Sequence, residues 1–265
     1  MARDDLIERW GLTLGEPFQG GFASVAVQAA VTADGEDAVL KVQDPHRESE
    51  HEATALELWD GEGAVRLLAH DLEQHALLLE RCVPGTALSA AGRDEALGVF
   101  VELLPTLWKP AGAPFRPLAE EAAWWAANLL PQWEENRRPF ERRLLDAALE
   151  ALRDLAPTQG EQVLLHQDLH GDNVLAAQRE PWLVIDPKPL AGEREFGLAP
   201  IVRSSELGAT RVEVLHRLEC LSSELGLDRE RARGWALAQT LAWSEGGRLT
   251  YHVEVARWLS QAGAA

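Results

Sequence analysis

The residues best suited to chemistry in this chain lie in one stretch of its second half. His166-Gln167-Asp168-Leu169-His170-Gly171-Asp172-Asn173-Val174-Leu175 is followed closely by Trp182-Leu183-Val184-Ile185-Asp186-Pro187. Asp168, Asn173 and Asp186 thus stand in the order and spacing of a phosphoryl-transfer site. In that chemistry one carboxylate receives the proton of an attacking hydroxyl. An amide a few positions on helps to hold a metal ion, and a second carboxylate, past a short strand, binds the magnesium that bridges the nucleotide phosphates. Asp168 and Asn173 share one tight loop after the apolar run Val163-Leu164-Leu165, so one can face an acceptor while the other faces a cation. Magnesium prefers oxygen ligands and takes few of them from protein, so one Asp and one Asn suffice. An accidental polar turn is the competing reading of so short a motif, and the Ile-Asp-Pro at the matching distance weighs against it.

These groups need elements to hold them. Val174-Leu175 and Leu183-Val184-Ile185 read as the strands of a hairpin joined by the polar segment 177–181, which carries Asp186 back beside Asn173. In the first half, Gly20, Gly21 and Ser24 lie between β-prone stretches and suit a hairpin loop whose backbone approaches phosphates, although two glycines also make an ordinary turn. Lys41 stands alone in the alternating strand 38–42, where its ammonium requires an anion. The helical pattern of 48–59 offers Glu48, Glu50 and Glu52 as its partner. Helix phase favours Glu52, four positions before Leu56 and so near the buried stripe. Two further strand-like runs, 64–70 and 76–81, precede a break at Cys82-Val83-Pro84-Gly85-Thr86. This break reads as a hinge whose backbone, around Glu80 and Cys82, meets the adenine edge. The expected division is a β-rich nucleotide lobe over 1–82 and a helical lobe over 83–265, with helices at 94–108, 118–133, 139–155, 210–225, 228–243 and 251–259.

The chain resembles the aminoglycoside phosphotransferase family of the protein-kinase-like superfamily, in its branch of streptomycin 6-phosphotransferases and hydroxyurea resistance kinases. The resemblance rests on His-Glu-Ala-x-Ala-Leu-x-Leu-Trp at 51–59, Ala-Val-Arg-Leu-Leu-Ala-His-Asp at 64–71, Leu-Leu-Leu-Glu-Arg at 77–81, the Asp168 loop, and Glu-Pro-Trp-Leu-Val-Ile-Asp-Pro-Lys at 180–188. It implies an α+β, bilobal protein-kinase-like fold, with a small antiparallel-sheet N-lobe and a larger, mainly helical C-lobe. It also implies ATP- and Mg2+-dependent O-phosphorylation of a small molecule, with Asp168 as base, Asn173 and Asp186 on the metal, Lys41 on the nucleotide phosphates and Glu52 as its partner. Two departures stand out. Relatives usually carry Gly where this chain has Gln167, and often an Asp, bracing the catalytic loop, where it has Gly197.

Composition fits such an enzyme. A chain of 265 residues can bury a core shared by two lobes. No N-terminal signal or membrane-length apolar run is evident, and the two cysteines, Cys82 and Cys220, form neither a disulfide framework nor a metal-ligand spacing, so the expected location is cytoplasmic. The 43 acidic residues against 25 Lys and Arg give a charge of −18, which disfavours nucleic acid and anionic membranes and is compatible with a cationic acceptor. A monomer or weak homodimer is expected. Most of the ten tryptophans read as core. His166 and His170 read as braces of the catalytic loop, and Glu120, Glu121, Glu134, Glu135, Glu224 and Glu245 as acids that could meet the acceptor. A sugar or amino-alcohol kinase, and a nucleotide-binding module that has lost turnover, are the alternatives.

Overall fold

Lys41 requires a strand with neighbours on both sides, and the alternation around it provides one. The computed structural model describes residues 2–18 and 25–262. After helix α1 (Ala2–Arg9), strands β1 (Thr13–Pro17), β2 (Val25–Val31), β3 (Asp37–Gln43), β4 (Leu67–Asp71) and β5 (Ala76–Glu80) form an antiparallel sheet in the order β1-β2-β3-β5-β4. Lys41 pairs with Val27 on one side and Leu77 on the other. Side chains alternate between faces along a strand. Ala38 and Leu40 therefore pack outward with Leu12, Ala30 and Leu78, whereas Val39 and Lys41 face the rest of the molecule.

Helix α2 (Glu52–Trp59) crosses that inner face. It begins later than the pattern from residue 48 suggests, because His51 adopts a left-handed backbone (φ 67°) that precludes a continuous helix and leaves Glu52 in the first turn. Trp59, fully buried, donates its indole N–H to the Leu107 carbonyl at 2.8 Å and joins the lobes. The strand expected from residue 64 also starts late. Residues 63–65 pair instead with the C-lobe, Val65 N–H donating to Val184 O at 3.0 Å and Val184 N–H to Gly63 O at 2.9 Å.

The C-lobe comprises α3 (Arg93–Leu107), α4 (Leu118–Glu135), α5 (Arg142–Leu155), α6 (Ala199–Arg203), α7 (Arg211–Glu224), α8 (Arg229–Ala242) and α9 (Thr250–Ala262). They surround two short antiparallel ribbons, β6 (Val163–His166) with β9 (Pro189–Gly192) and β7 (Val174–Ala176) with β8 (Trp182–Val184). The caps explain the helix starts. Thr210 and Glu213 form a capping box on α7, and Asp228 accepts from the N–H groups of Glu230 and Arg231 on α8. Helix α5 starts at 142 instead of 139, since buried Phe140 leads in and its carbonyl accepts the Trp133 indole N–H at 3.0 Å. Trp125, Trp133 and Trp235 are core residues, the first and third packing on either side of Phe196, and Trp124 is exposed.

One buried cation shapes the segment after α6. The Arg217 guanidinium donates to the carbonyls of Val202, Ser204, Leu207 and Gly208 at 2.7–2.9 Å, pinning the turn that bears Arg203 and Glu206. Among the described residues no helix is long and apolar enough to cross a membrane.

Candidate active site

Pairing of β6 with β9 sets His166 opposite Pro189, so Asp168 and Lys188 leave the same end of one ribbon. The Gln167 N–H donates to the Lys188 carbonyl at 3.1 Å and fixes the two exits together. Both oxygens of Asp168 are occupied. Lys188 Nζ donates to Oδ2 at 2.5 Å and Arg203 Nη2 to Oδ1 at 2.8 Å. Burial by itself would raise the Asp168 pKa, but the Lys188 and Arg203 cations outweigh it and hold the carboxyl below its ordinary range. Asp168 is therefore ionised at neutral pH. Arg203 is nearly inaccessible and lies flat over Trp243, its guanidinium carbon 4.2 Å from the ring centre.

Asn173 closes the loop. Its side-chain N–H donates to the Asp168 carbonyl at 2.8 Å, and its own carbonyl accepts from the Ile185 N–H at 3.0 Å. The side-chain oxygen is not used in the bond to Asp168, and the backbone bond to Ile185 ties Asn173 to the segment that bears Asp186. That residue has a left-handed backbone (φ 54°), an arrangement Asp tolerates better than most side chains, and keeps 44 % of its side chain exposed to the cleft. Lys41 reaches it at 2.5 Å while holding both Glu52 oxygens at 2.7 and 2.8 Å, and Gln43 adds a further bond to Glu52 at 2.8 Å. Burial works against the Lys41 charge, yet Glu52 and Asp186 outweigh it and raise its pKa. Asp186 is driven down to about 2, again by cations that overcome burial, Lys41 first.

These groups fit magnesium. An ionised carboxylate and a neutral amide oxygen are hard donors on neighbouring segments. No group of three or more His, Cys, Asp or Glu side chains that could hold a metal ion is found among the described residues, so Asp186 and Asn173 would hold magnesium together with ligands from outside the protein.

His166 couples the two loops. Its Nδ1 accepts the Asp168 N–H at 3.3 Å, which assigns the proton to Nε2, the atom 2.9 Å from the Ile185 carbonyl. Burial pushes its pKa from 6.5 down to about 4. The unfolded chain therefore takes up a proton across this window that the folded chain refuses. Folding stability is fully expressed above pH 6.5 and falls as pH drops toward 4, a loss of about 3 kcal/mol by the value of a pKa unit. Urea unfolding at pH 7 and pH 4.5 checks this, and a His166→Gln variant that retained the same slope would show that another group titrates there.

The departure at Gly197 has a structural basis. A Cβ at Gly197 would stand 3.1 Å from Trp108 Nε1, so an Asp there requires Trp108 to move. The Asp168 loop is braced from α8 instead, where buried Gln239 donates to the Gln167 carbonyl at 2.8 Å. The Gln167 side chain is wholly buried, and neither of its amide atoms has a hydrogen-bond partner in the protein.

Lys41, Glu52, Asp168, Asn173 and Asp186 are thus brought to one cleft. Gly20, Gly21 and Ser24 lie outside the described residues. Glu80 and Cys82 sit where β5 leaves the sheet. The Glu80 carboxylate is engaged by Arg179 at 2.9 Å and by the Arg66 N–H at 3.0 Å, and its own N–H donates to the Arg66 carbonyl at 2.9 Å, so neither its carboxylate nor its N–H is offered to a nucleotide edge. Burial pushes the Cys82 thiol up to about 11, so it stays protonated. His170 bonds Glu206 at 3.2 Å and does brace the loop. Glu121 is buried on Arg47 and Arg116, and Glu134 pairs with Arg138 on the surface. Sequence reasoning did not assign roles to Lys188, Arg203, Gln43 or Trp243. Lys188 had a usable signal, a cation two positions after Asp186. Arg203 and Trp243 belong to distant helices and carried none.

The chain has relatives among known proteins. The model of the aminoglycoside/hydroxyurea antibiotic resistance kinases matches residues 9–245. A hydroxyurea phosphotransferase of Kitasatospora aureofaciens is 42 % identical over 243 residues, 89 % of this chain and 69 % of that protein. A streptomycin 6-kinase of Streptomyces glaucescens is 39 % identical over 246 residues, 90 % of this chain and 79 % of its own length. Among solved structures, a thermostable mutant of the aminoglycoside phosphotransferase APH(4)-Ia, in ternary complex with ADP and hygromycin B, superposes with a TM-score of 0.62 at 14 % identity, covering 97 % of this chain and 95 % of that one. Shared fold at that low identity, a family match over most of the length and relatives near 40 % identity all point the same way: the chain belongs to the aminoglycoside/hydroxyurea antibiotic resistance kinases.

Proposed function

We propose that the chain transfers the γ-phosphoryl group of ATP to a hydroxyl of a streptomycin-like aminoglycoside or of hydroxyurea, with Asp168 as base and Asp186 and Asn173 as the protein ligands of magnesium. The observation that carries this is the pairing of each working carboxylate with a lysine across one cleft, Asp168 with Lys188 and Asp186 with Lys41. Lys41, Lys188 and Arg203 balance Glu52, Asp168 and Asp186, so the cleft is close to neutral before a charged nucleotide and its cation enter. Lys41, anchored on Glu52, presents its ammonium to phosphate oxygens. Asp168 accepts the hydroxyl proton. Bound magnesium would neutralise charge on the bridging and transferred phosphate oxygens. Relatives named for streptomycin and for hydroxyurea are similarly distant, and the charge of −18 suits the polycation of the two.

ADP release with magnesium and ATP, measured across streptomycin, other aminoglycosides, hydroxyurea and simple sugars, tests the reading. Streptomycin or hydroxyurea is expected to stimulate turnover to the range of about 1–100 per second usual for kinases. Tight ATP binding with stimulation only by a sugar or amino alcohol would reassign the acceptor.

A further inference from the structure

Each oxygen of Asp168 carries one cation, and the two cations differ in freedom. Arg203 is fixed. Its side chain is 8 % exposed, it stacks on Trp243, it comes from a turn pinned by buried Arg217, and its Nη2 holds Oδ1. Lys188 is held at its backbone by Gln167 and β9, but its ammonium ends a flexible stem, 19 % exposed and 5.8 Å from the Trp243 ring centre. It occupies Oδ2, the oxygen that Arg203 does not hold. Lys188 also lies two residues after Asp186 in the chain, so one short segment carries both the proposed metal ligand and the cation bound to Asp168. In-line transfer requires the moving phosphoryl group to pass between the acceptor oxygen and the metal-bound phosphates.

We infer that Lys188 is a further catalytic residue, whose ammonium leaves Asp168 Oδ2 for the transferred phosphoryl group when an acceptor hydroxyl takes its place. Arg203 is a positioning residue that keeps Asp168 aimed through Oδ1. The step balances without further reagents. The acceptor oxygen forms its bond to phosphorus, the bond from phosphorus to the β,γ-bridging oxygen breaks with its electron pair going to ADP, and the acceptor proton passes to Asp168. Lys188 keeps its own proton throughout. A cation aimed at the charge of a transition state in a partly dry site acts more strongly there than on the ground state.

This inference rests on the phosphotransferase reading, and the test separates the two. Affinities for MgADP and for MgADP with aluminium fluoride, a mimic of the transferring group, are measured by calorimetry on the whole chain, in the presence of streptomycin and separately of hydroxyurea. In Lys188→Met the fluoroaluminate complex is expected to weaken by roughly 100-fold, with MgADP affinity changed less than about threefold and kcat reduced by roughly 10²–10³-fold, as for loss of one transition-state donor. Unchanged MgADP binding also shows that the variant is folded. The same weakening is expected when Lys188→Met is added to Asp168→Asn. Were Lys188 only a partner of Asp168, that second comparison would show no loss, and the inference would be overturned. A wild-type enzyme that gains nothing from aluminium fluoride over MgADP would fail the phosphotransferase reading itself, and the role of Lys188 with it.

Discussion

Replacement of Asp168 by Asn is expected to lower kcat by roughly 10³–10⁴-fold, the upper range for loss of a general base, while ATP still binds. The change keeps an oxygen for Arg203 and a side chain of the same shape, but it removes the negative charge that Lys188 and Arg203 share. A modest fall in stability should accompany it, because Arg203 is buried and loses its counterion. The nucleotide side is untouched. Lys41, Glu52 and Asp186 contact one another and make no hydrogen bond to the Asp168 carboxylate. ADP release and ATP affinity, measured on the same preparation, give the two readouts. Transfer within tenfold of wild type would remove Asp168 from the role of base. Loss of ATP binding as well would mean that the variant had damaged the cleft and not only the proton acceptor.

The part of this site legible in the sequence was the part written locally. Asp168 and Asn173 belong to one loop, and their distance along the chain determines how they face. The β7–β8 hairpin was legible because its apolar runs are bounded by polar residues, and its pairing of Val174 with Val184 brings Asp186 home. Lys41 announced itself by the cost of burying an unpaired ammonium. Its partner was legible as one of three acids, and helix phase favoured the right one, although the helix starts later than the pattern indicated. Strand β9 was not read at all. Pro-Leu-Ala-Gly has no alternation, and it is a strand only because β6 lies beside it. Arg203 was invisible for a related reason. Its position depends on α6, on the Trp243 ring and on the grip of Arg217, three features of packing that no local pattern reports. Gly197 looked like a missing brace until Trp108 was seen to fill the space, with Gln239 bracing the loop from another helix. Motif chemistry was thus readable where the backbone alone fixes geometry, and unreadable where a third element supplies the contact.

The second large effect concerns Asp186, whose replacement by Asn is expected to reduce kcat/KM for MgATP by roughly 10³-fold or more, since a carboxylate on the bridging cation accounts for several kcal/mol of transition-state stabilisation. Asn suits this position structurally because it tolerates a left-handed backbone, here φ 54°, whereas Ala would add strain to the loss of charge. The fold should survive for a second reason. Lys41 keeps both Glu52 oxygens, so its buried ammonium is not left without a counterion. Acidification cannot substitute for the mutation, because a carboxyl held down at about 2 stays ionised throughout the mildly acidic range. The decisive readout is therefore binding of a manganese probe in the presence of ADP, followed by its paramagnetic signal in wild type and in Asp186→Asn. Loss of that binding together with activity assigns Asp186 to the metal. Intact manganese binding with lost activity would instead leave Asp186 as the partner of Lys41 alone. That outcome can be checked independently, because removing Lys41 in place of Asp186 should then produce the same defect, whereas a metal ligand and a phosphate-binding lysine fail in different ways, one losing manganese and the other losing nucleotide affinity while the carboxylate remains.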